Sequence, residues 1–419
     1  MKGISRFFTL YWIIYFPTCI AYNDLPGFSS IDEIMMGILF VYTFMKYSNR
    51  SINRCPWREF MVCLGVIAFY TLYSLMFGVN VAGGVWLDLL QEIRPYSIIF
   101  CTWILNPRFT KKQKKWMLGT MVLTLFSWIV YHPQTLDTQV EAEFPVLGQL
   151  AICTGMSWYL FTKETKRNRN IALLLVLTGM MAPKFKFMGE VVCFIAFVFF
   201  IKQRLNFKSP KTMIYVVLLV TVILMITWTR FDAYYVSGLS NDELARPMTY
   251  KTSLRILWDY LPFGSGMGSF ACNGAWKFFS PLYYKYNLTG IWGLSPEMGY
   301  FICDAYYPTL AQFGIVGVFF FCWFWKRRLA TFDIIADMRY YRVAMITFCC
   351  LAIEQTADSS WLSGKGMGYC MLIALCLNAN RNMMEQRRRE EMRKEMIEKR
   401  RMAANSENEQ LKLAENIKS

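Results

Sequence analysis

The chain has 419 residues, of which 55% are hydrophobic and only 18% are charged, and its mean hydropathy is +0.28. A soluble protein of this size carries closer to a quarter charged residues, so the composition excludes an ordinary soluble enzyme. The net charge of +16 resides mostly in short connections and a C-terminal tail. That distribution is typical of the positive-inside signal, and we expect no nucleic-acid partner.

Apolar runs long enough to cross a bilayer core, roughly 17–25 residues, recur along the whole chain. The first run begins within a few residues of Met1 and has no small-residue cleavage pattern, so we expect a retained helix rather than a signal peptide. The chain is thus predicted to be an all-α polytopic membrane protein of about twelve transmembrane helices. The predicted spans are 7–21, 30–46, 59–78, 85–105, 115–131, 145–162, 171–187, 188–202, 212–230, 301–325, 342–361 and 365–379.

Loop charge predicts the orientation of these spans. The connections at 22–29, 79–84 and 132–144 contain no Lys or Arg, whereas the alternate connections are strongly basic. All basic loops fall on one side only if both termini are cytoplasmic and the number of spans is even. The chain then divides into spans 1–9 (1–230), a large external loop domain with short helices (231–300), spans 10–12 (301–379) and a charged cytoplasmic tail (380–419).

Cysteine and histidine give no sign of a metal site. Most of the thirteen cysteines lie within apolar runs, where cysteine behaves as a small hydrophobe. No metal-ligand spacing of Cys and His occurs, and His132 is the only histidine. We therefore expect neither a metal ion nor a cofactor.

The stretch YKTSLRILWDYLPFGSGMGSF, residues 250–270, carries glycines at alternate positions in the external loop. A dinucleotide site needs a strand before such glycines and a helix after them, and that context is missing here. Pro262 followed by Gly264, Gly266 and Gly268 instead indicates a helix stop and a tight turn. Two interpretations stay open: a turn where two backbones approach closely, or a bare backbone that approaches a substrate.

This segment resembles the O-antigen ligase and Wzy-type polymerase superfamily. The resemblance rests on Arg246, Tyr250, Leu254 and Asp259, on the P-x-G-x-G-x-G-x-F run at 262–270, and on 303–317, CDAYYPTLAQFGIVG; with the span layout it covers nearly the whole chain. It implies a GT-C-like fold and a metal-independent inverting glycosyltransferase that acts on glycans carried by undecaprenyl pyrophosphate. The implied location is the bacterial inner membrane, with the active site facing the periplasm.

The family has a His-Asn pair where this chain has Cys303 and Asp304. The resemblance therefore implies that Asp304, or a neighbouring acid such as Glu297, accepts the proton of the attacking sugar hydroxyl, unless the role is not a proton transfer. Arg246 and Arg255 are predicted to stabilise the departing pyrophosphate, because preorganised arginines bind phosphate oxygens bidentately.

Charged residues within predicted spans indicate function by default, because each costs roughly 2.5–3.5 kcal/mol on insertion scales. Arg94 either pairs with a neighbouring helix or holds a phosphate, and Glu92 lies two positions before it. Glu354 and Asp358 lie four residues apart on one helix face, where they either bind sugar or acceptor hydroxyls or face water.

Lys184 and Lys186 are basic residues in a predicted external connection, against the charge rule. Their position matches the family's Ser-Arg-Gly stretch between spans seven and eight, and this match implies a contact with the lipid pyrophosphate. The predicted substrate-binding residues are Arg94, Lys184, Lys186, Gly264, Gly266 and Glu354.

Three functions follow as hypotheses. The first is an O-antigen or capsular polysaccharide polymerase that joins undecaprenyl-pyrophosphate-linked repeat units, with the donor and acceptor glycans, the lipid bilayer and a chain-length regulator as candidate partners. The second is a ligase that transfers finished glycan to lipid A-core or to protein. The third is a flippase for lipid-linked oligosaccharide, although the two halves of the chain show none of the symmetry that transporters commonly have.

Overall fold

The computed structural model describes residues 2–24, 30–47, 54–131, 144–181, 184–206, 209–241 and 243–418, and His132 lies outside them. Within these ranges the regular structure is helical and contains no strand. The α-helices are α1 Lys2–Asp24, α2 Ile31–Tyr47, α3 Arg54–Phe77, α4 Ala82–Leu105, α5 Lys111–Tyr131, α6 Phe144–Phe161, α7 Lys166–Leu177, α8 Phe185–Ile195, α9 Pro210–Phe231, α10 Ala245–Asp259, α11 Asn273–Lys277, α12 Pro281–Lys285, α13 Gly314–Asp333, α14 Met338–Ala357 and α15 Met367–Lys418.

Among the described residues, three helical segments are long and apolar enough to cross a membrane: Pro56–Phe77, Pro210–Val236 and Tyr307–Asp333. Each of the last two joins an α-helix to a neighbouring turn of π- or 3₁₀-helix, Asp232–Val236 after α9 and Tyr307–Phe313 before α13. A shorter apolar helix spans Val146–Phe161. The expectation of an all-helical membrane protein is therefore met at this coarse level, and twelve spans stay a prediction.

The main core surrounds α4, which packs against α2, α3 and α15. Every residue from 97 to 105 of α4 is buried, and so are the residues from 366 to 378 around the start of α15. Side chains buried on all sides of a helix require neighbours on all sides. By contrast, α9 is largely exposed and packs mainly against α8.

Several element boundaries differ from the predicted ones. The α9 segment continues in helical form to Ser240, beyond the predicted end at 230, and the tenth apolar helix begins at Tyr307 rather than at 301. Helix α8 begins at Phe185, inside the seventh predicted span, which was expected to continue to 187. Helix α15 joins the twelfth predicted span and the charged tail in one helix of 52 residues.

Residues 243–306 form a separate small core around α10, α11 and α12. Ile256, Phe270 and Tyr283 are fully buried there, and the rings of Phe270 and Tyr283 stack with centroids 5.6 Å apart. Ser280 caps α12 by accepting a hydrogen bond from the Leu282 amide, and Pro281 occupies the first turn, where its missing amide hydrogen costs nothing. The loop domain is thus held by packing of its own.

The basic connections meet at one end of the helix bundle. Arg108 bonds Glu385 at 2.6 Å, and Arg342 bonds Glu164 at 3.1 Å. Arg204 donates to the carbonyl of Asp333 at 3.0 Å. These contacts join the connections after α4 and α6 and the segment before α9 to residues of α15, α14 and α13. Arg342 lies near the first turn of α14, whereas the 358–366 segment follows the last turn of that helix. That segment contacts Lys186 at the start of α8 and Arg94, which pairs with the start of α2.

Candidate functional site

An ion pair joins the start of α10 to the segment that precedes the tenth apolar helix. Arg246, the second residue of α10, directs Nε to Asp304 Oδ2 at 2.7 Å, and its Nη2 contacts the same oxygen. The guanidinium carbon lies 4.5 Å from the centroid of the Tyr234 ring, which is a cation–π distance. Fifty-eight residues separate the two partners in sequence. The structure therefore brings together two of the three predicted catalytic residues.

The environment of Asp304 suits a carboxylate that takes up a proton. Burial raises the pKa of the Asp304 carboxyl above its ordinary value, and the guanidinium of Arg246 opposes that rise. The Asp304 side chain keeps 22% of its surface exposed, so a substrate hydroxyl can reach it. Glu297, the other acid considered, is exposed and has no ion pair with Arg246 among the residues that the structure describes.

A second charge cluster lies where α8 begins and α14 ends. The Lys186 ammonium bonds Glu354 Oε2 at 2.6 Å and Asp358 Oδ2 at 2.7 Å. Lys365 contacts the same oxygen of Asp358 at 3.3 Å. Glu354 and Asp358 do not share a helix face as predicted, because α14 ends at Ala357 and the backbone of Asp358 is extended. Their carboxylates still meet one ammonium. Lys184 is the N-cap residue of α8 and is partly exposed.

Arg94 is buried in a third cluster. Its guanidinium bonds Asp32 at 2.7 Å, contacts Glu33, and donates to the carbonyl oxygen of Leu362. The arginine is only 1% exposed, and both carboxylates come from the first turn of α2. This geometry favours the interpretation in which Arg94 pairs with a neighbouring helix, while a phosphate contact of Arg94 stays a prediction.

One segment, residues 358–366, connects the three clusters. It contributes Asp358, Lys365 and the Leu362 carbonyl, and the hydroxyl of Ser359 donates to the carbonyl of Cys303 at 2.9 Å, one residue before Asp304. In the adjacent last turn of α14, the Thr356 carbonyl accepts the hydroxyl of Tyr250 at 2.9 Å. Arg94, Lys186, Arg246 and Lys365 thus belong to one continuous polar region at one end of the bundle.

The glycine turn packs against protein backbone. Gly264, Gly266 and Gly268 have φ of 82°, 91° and 75°, in the left-handed region that glycine adopts without strain. A Cβ on Gly266 would lie 2.8 Å from the Cα of Gly78, and one on Gly268 would lie 2.5 Å from the carbonyl carbon of Gly84. The structure therefore favours the interpretation in which two backbones approach closely at these glycines. A direct contact of Gly264 or Gly266 with a substrate stays a prediction.

Arg255 does not join the Arg246–Asp304 pair. The two arginines are nine residues apart on α10, which places them about 180° apart around a helix of 3.6 residues per turn. Arg255 is exposed, whereas Arg246 faces the interior. The spacing of nine residues along one helix could have predicted this separation from the sequence.

Sequence reasoning missed four charged residues of this end of the bundle. Asp32 and Glu33 follow a connection without Lys or Arg, so only their position at a predicted helix start pointed to them. Lys365 breaks the charge rule in a short external connection, as Lys184 and Lys186 do. Asp88 is fully buried in α4 and accepts hydrogen bonds from the Gly268 amide at 2.9 Å and from Gln312 at 2.7 Å. Its place one turn before Glu92 was the available signal.

The site has the components for acid–base and anion chemistry. Its cations can stabilise phosphate oxygens, provided that an incoming anion shares or displaces the carboxylates that now pair with them. Across the described ranges, no group of three His, Cys, Asp or Glu side chains is arranged to hold a metal ion. No protein-family model matches the chain, and no curated protein matches its sequence.

Proposed function

We propose that this chain is a polysaccharide polymerase, a metal-independent inverting glycosyltransferase that joins oligosaccharide repeat units carried on undecaprenyl pyrophosphate. It would cross the bacterial inner membrane twelve times, with both termini in the cytoplasm and the site facing the periplasm. The meeting of the basic connections at one end of the bundle supports this orientation, since positive residues favour the cytoplasmic side.

The observation that carries the proposal is the Arg246–Asp304 pair. Transfer of a glycan from a lipid pyrophosphate needs a cation where negative charge develops on the leaving group, and an acceptor for the proton of the attacking hydroxyl. Arg246 supplies the first and Asp304 the second, side by side in a region that remains accessible. In this proposal the donor pyrophosphate binds the Arg246 guanidinium and frees Asp304 to accept the proton.

The neighbouring cluster around Lys186 and Lys365 supplies further cations to the proposed site. Lys186 and Lys365 lie within the polar region that the 358–366 segment links to Asp304, and they offer further positive charge to a diphosphate. Lysine binds phosphate as a point charge, while arginine adds bidentate geometry. We therefore assign Arg246 the transition-state role and the lysines the binding of the lipid-linked donor.

The proposal is tested by the length distribution of surface polysaccharide in cells that carry Arg246→Ala, with the amount of membrane-inserted protein measured in parallel. Arg255→Ala is the matched comparison, because it removes a guanidinium from the exposed face of the same helix. Collapse to single repeat units in Arg246→Ala alone supports the polymerase. Long chains that stay on their carrier lipid would instead indicate the ligase, and a normal distribution would contradict both assignments.

A further inference from the structure

A cavity lies outside the charged region, between α3, α4 and the helical segment Tyr307–Asp333. Its walls are formed mainly by aliphatic and aromatic side chains, among them Val66 of α3, Leu310, and Phe320 of α13. A mostly apolar cavity with a few convergent polar groups is the usual form of a small-molecule site.

Two of the helical segments that line the cavity are each able to cross a membrane. The lining residue Val62 of α3 is 42% exposed, and Phe319 of α13, next in sequence to the lining residue Phe320, is 65% exposed, so the cavity borders the outer surface of these two segments. Pro56–Phe77 and Tyr307–Asp333 are both long and apolar enough to span the bilayer. A molecule that enters between them comes from the hydrocarbon region rather than from water.

One carboxyl lines this cavity and is incompletely bonded. Glu92 is 3% exposed, and its Oε2 accepts the Tyr306 hydroxyl at 3.3 Å. Its Oε1 has no hydrogen-bond partner, and no Lys or Arg forms an ion pair with Glu92, in the part of the chain that the structure describes. A buried acceptor left without a donor costs about 1–3 kcal/mol, more if it is charged.

We propose that this cavity binds a long-chain lipid whose inserted end carries a hydrogen-bond donor, a hydroxyl or an ammonium group. The donor bonds Glu92 Oε1, and the hydrocarbon chain packs against Val66, Leu310 and Phe320 and leaves between α3 and α13. A chain that ends in hydrocarbon fits the walls but leaves the carboxyl unsatisfied. The proposal concerns a second site and does not depend on the polymerase assignment.

The test uses the purified full-length protein in lipid nanodiscs and three photoreactive sixteen-carbon chains, which carry a mid-chain diazirine and end in a hydroxyl, an ammonium or a methyl group. Mass spectrometry measures cross-links to the peptides that line the cavity. We expect the hydroxyl or the ammonium probe to label them about tenfold more than the methyl probe, the effect of one hydrogen bond to a buried carboxyl. The better of the two probes identifies the donor.

Two variants keep the test decisive. Val66→Trp fills the cavity and is expected to abolish labelling by all three probes, while labelling of the exposed surface of α9 stays unchanged. Glu92→Leu is expected to equalise the three probes without closing the cavity. Equal labelling of the wild-type protein by all probes, preference for the methyl probe, or undiminished labelling of Val66→Trp would each overturn the proposal.

Discussion

Replacement of Gly268 by alanine tests whether the glycine turn serves packing. At its φ of 75°, an alanine Cβ would lie 2.5 Å from both the carbonyl carbon and the oxygen of Gly84. Real Cβ atoms do not approach backbone this closely, so α4 or the turn must move. The shift would also disturb the bond from the Gly268 amide to Asp88.

The expected loss of stability has two sources. A non-glycine residue in the left-handed region costs about 1–2 kcal/mol, and overpacking against a fixed backbone adds about 1–3 kcal/mol. We therefore expect Gly268→Ala to lower the free energy of unfolding by about 2–5 kcal/mol. Gly65→Ala is the control: this glycine lies in the middle of α3, and a Cβ there meets no atom within 4 Å. Alanine at that position should be neutral or slightly stabilising.

Fluorescence-monitored thermal unfolding of the solubilised protein measures the difference between these two variants. A midpoint several degrees lower for Gly268→Ala than for Gly65→Ala is the expected result. Equal midpoints, combined with a selective loss of activity in Gly268→Ala, would refute the packing argument. They would favour the alternative in which the glycine backbone approaches a substrate.

Three further predictions concern the charged region. Lys186→Met should destabilise the protein by about 3–5 kcal/mol, because it leaves the buried Glu354 without its cation, while Asp358 keeps its contact with Lys365. Glu354→Gln in the same chain should recover part of that loss. Thermal unfolding of the two single variants and the double variant measures this coupling, and full additivity would contradict the pairing. As the proposed base, Asp304 must be ionised, so the transfer rate should fall as the pH decreases towards the pKa of Asp304. Because burial raises that pKa, the acid limb of the pH–rate profile should lie above the usual range of an aspartate. Asp304→Asn should abolish transfer, and a retained rate with the same acid limb would exclude the role. Arg255→Ala should keep transfer close to wild type, whereas a loss equal to that of Arg246→Ala would place both arginines in the site.

The helices and the charged segments at their ends can be predicted from local sequence, whereas the ion-pair partners of the charged side chains cannot. Apolar runs predict membrane helices because burial in lipid requires every backbone group to bond within its own helix. The same runs misplaced the start of α8, which lies at Phe185, and the start of the tenth apolar helix, which lies at Tyr307. In 301–306 polar and aromatic residues fit a helix or a turn equally well, so composition alone does not fix where the helix begins.

The charge clusters show where sequence reasoning stops. The spacing of Glu354 and Asp358 predicted a shared helix face, but α14 ends one residue before Asp358. Their bonds to Lys186 cross 168 and 172 residues and depend on how α8 packs against α14, which no local pattern contains. Arg246 and the position of Asp304 came from the family resemblance, whereas Arg255 was added because its charge suits a phosphate, and it lies on the other face of α10. Long-range pairing needs the tertiary structure.

The central claim is tested most directly by chain growth with purified components. The protein is reconstituted into liposomes, supplied with undecaprenyl-pyrophosphate-linked repeat units on the outer face, and the glycan products are separated by length. The account predicts products of several repeat units from the wild-type protein, and single units only from correctly inserted Arg246→Ala. Polymer formed equally by both proteins, or no polymer from intact wild-type protein, would contradict the assignment of this chain as a polymerase with Arg246 in its site.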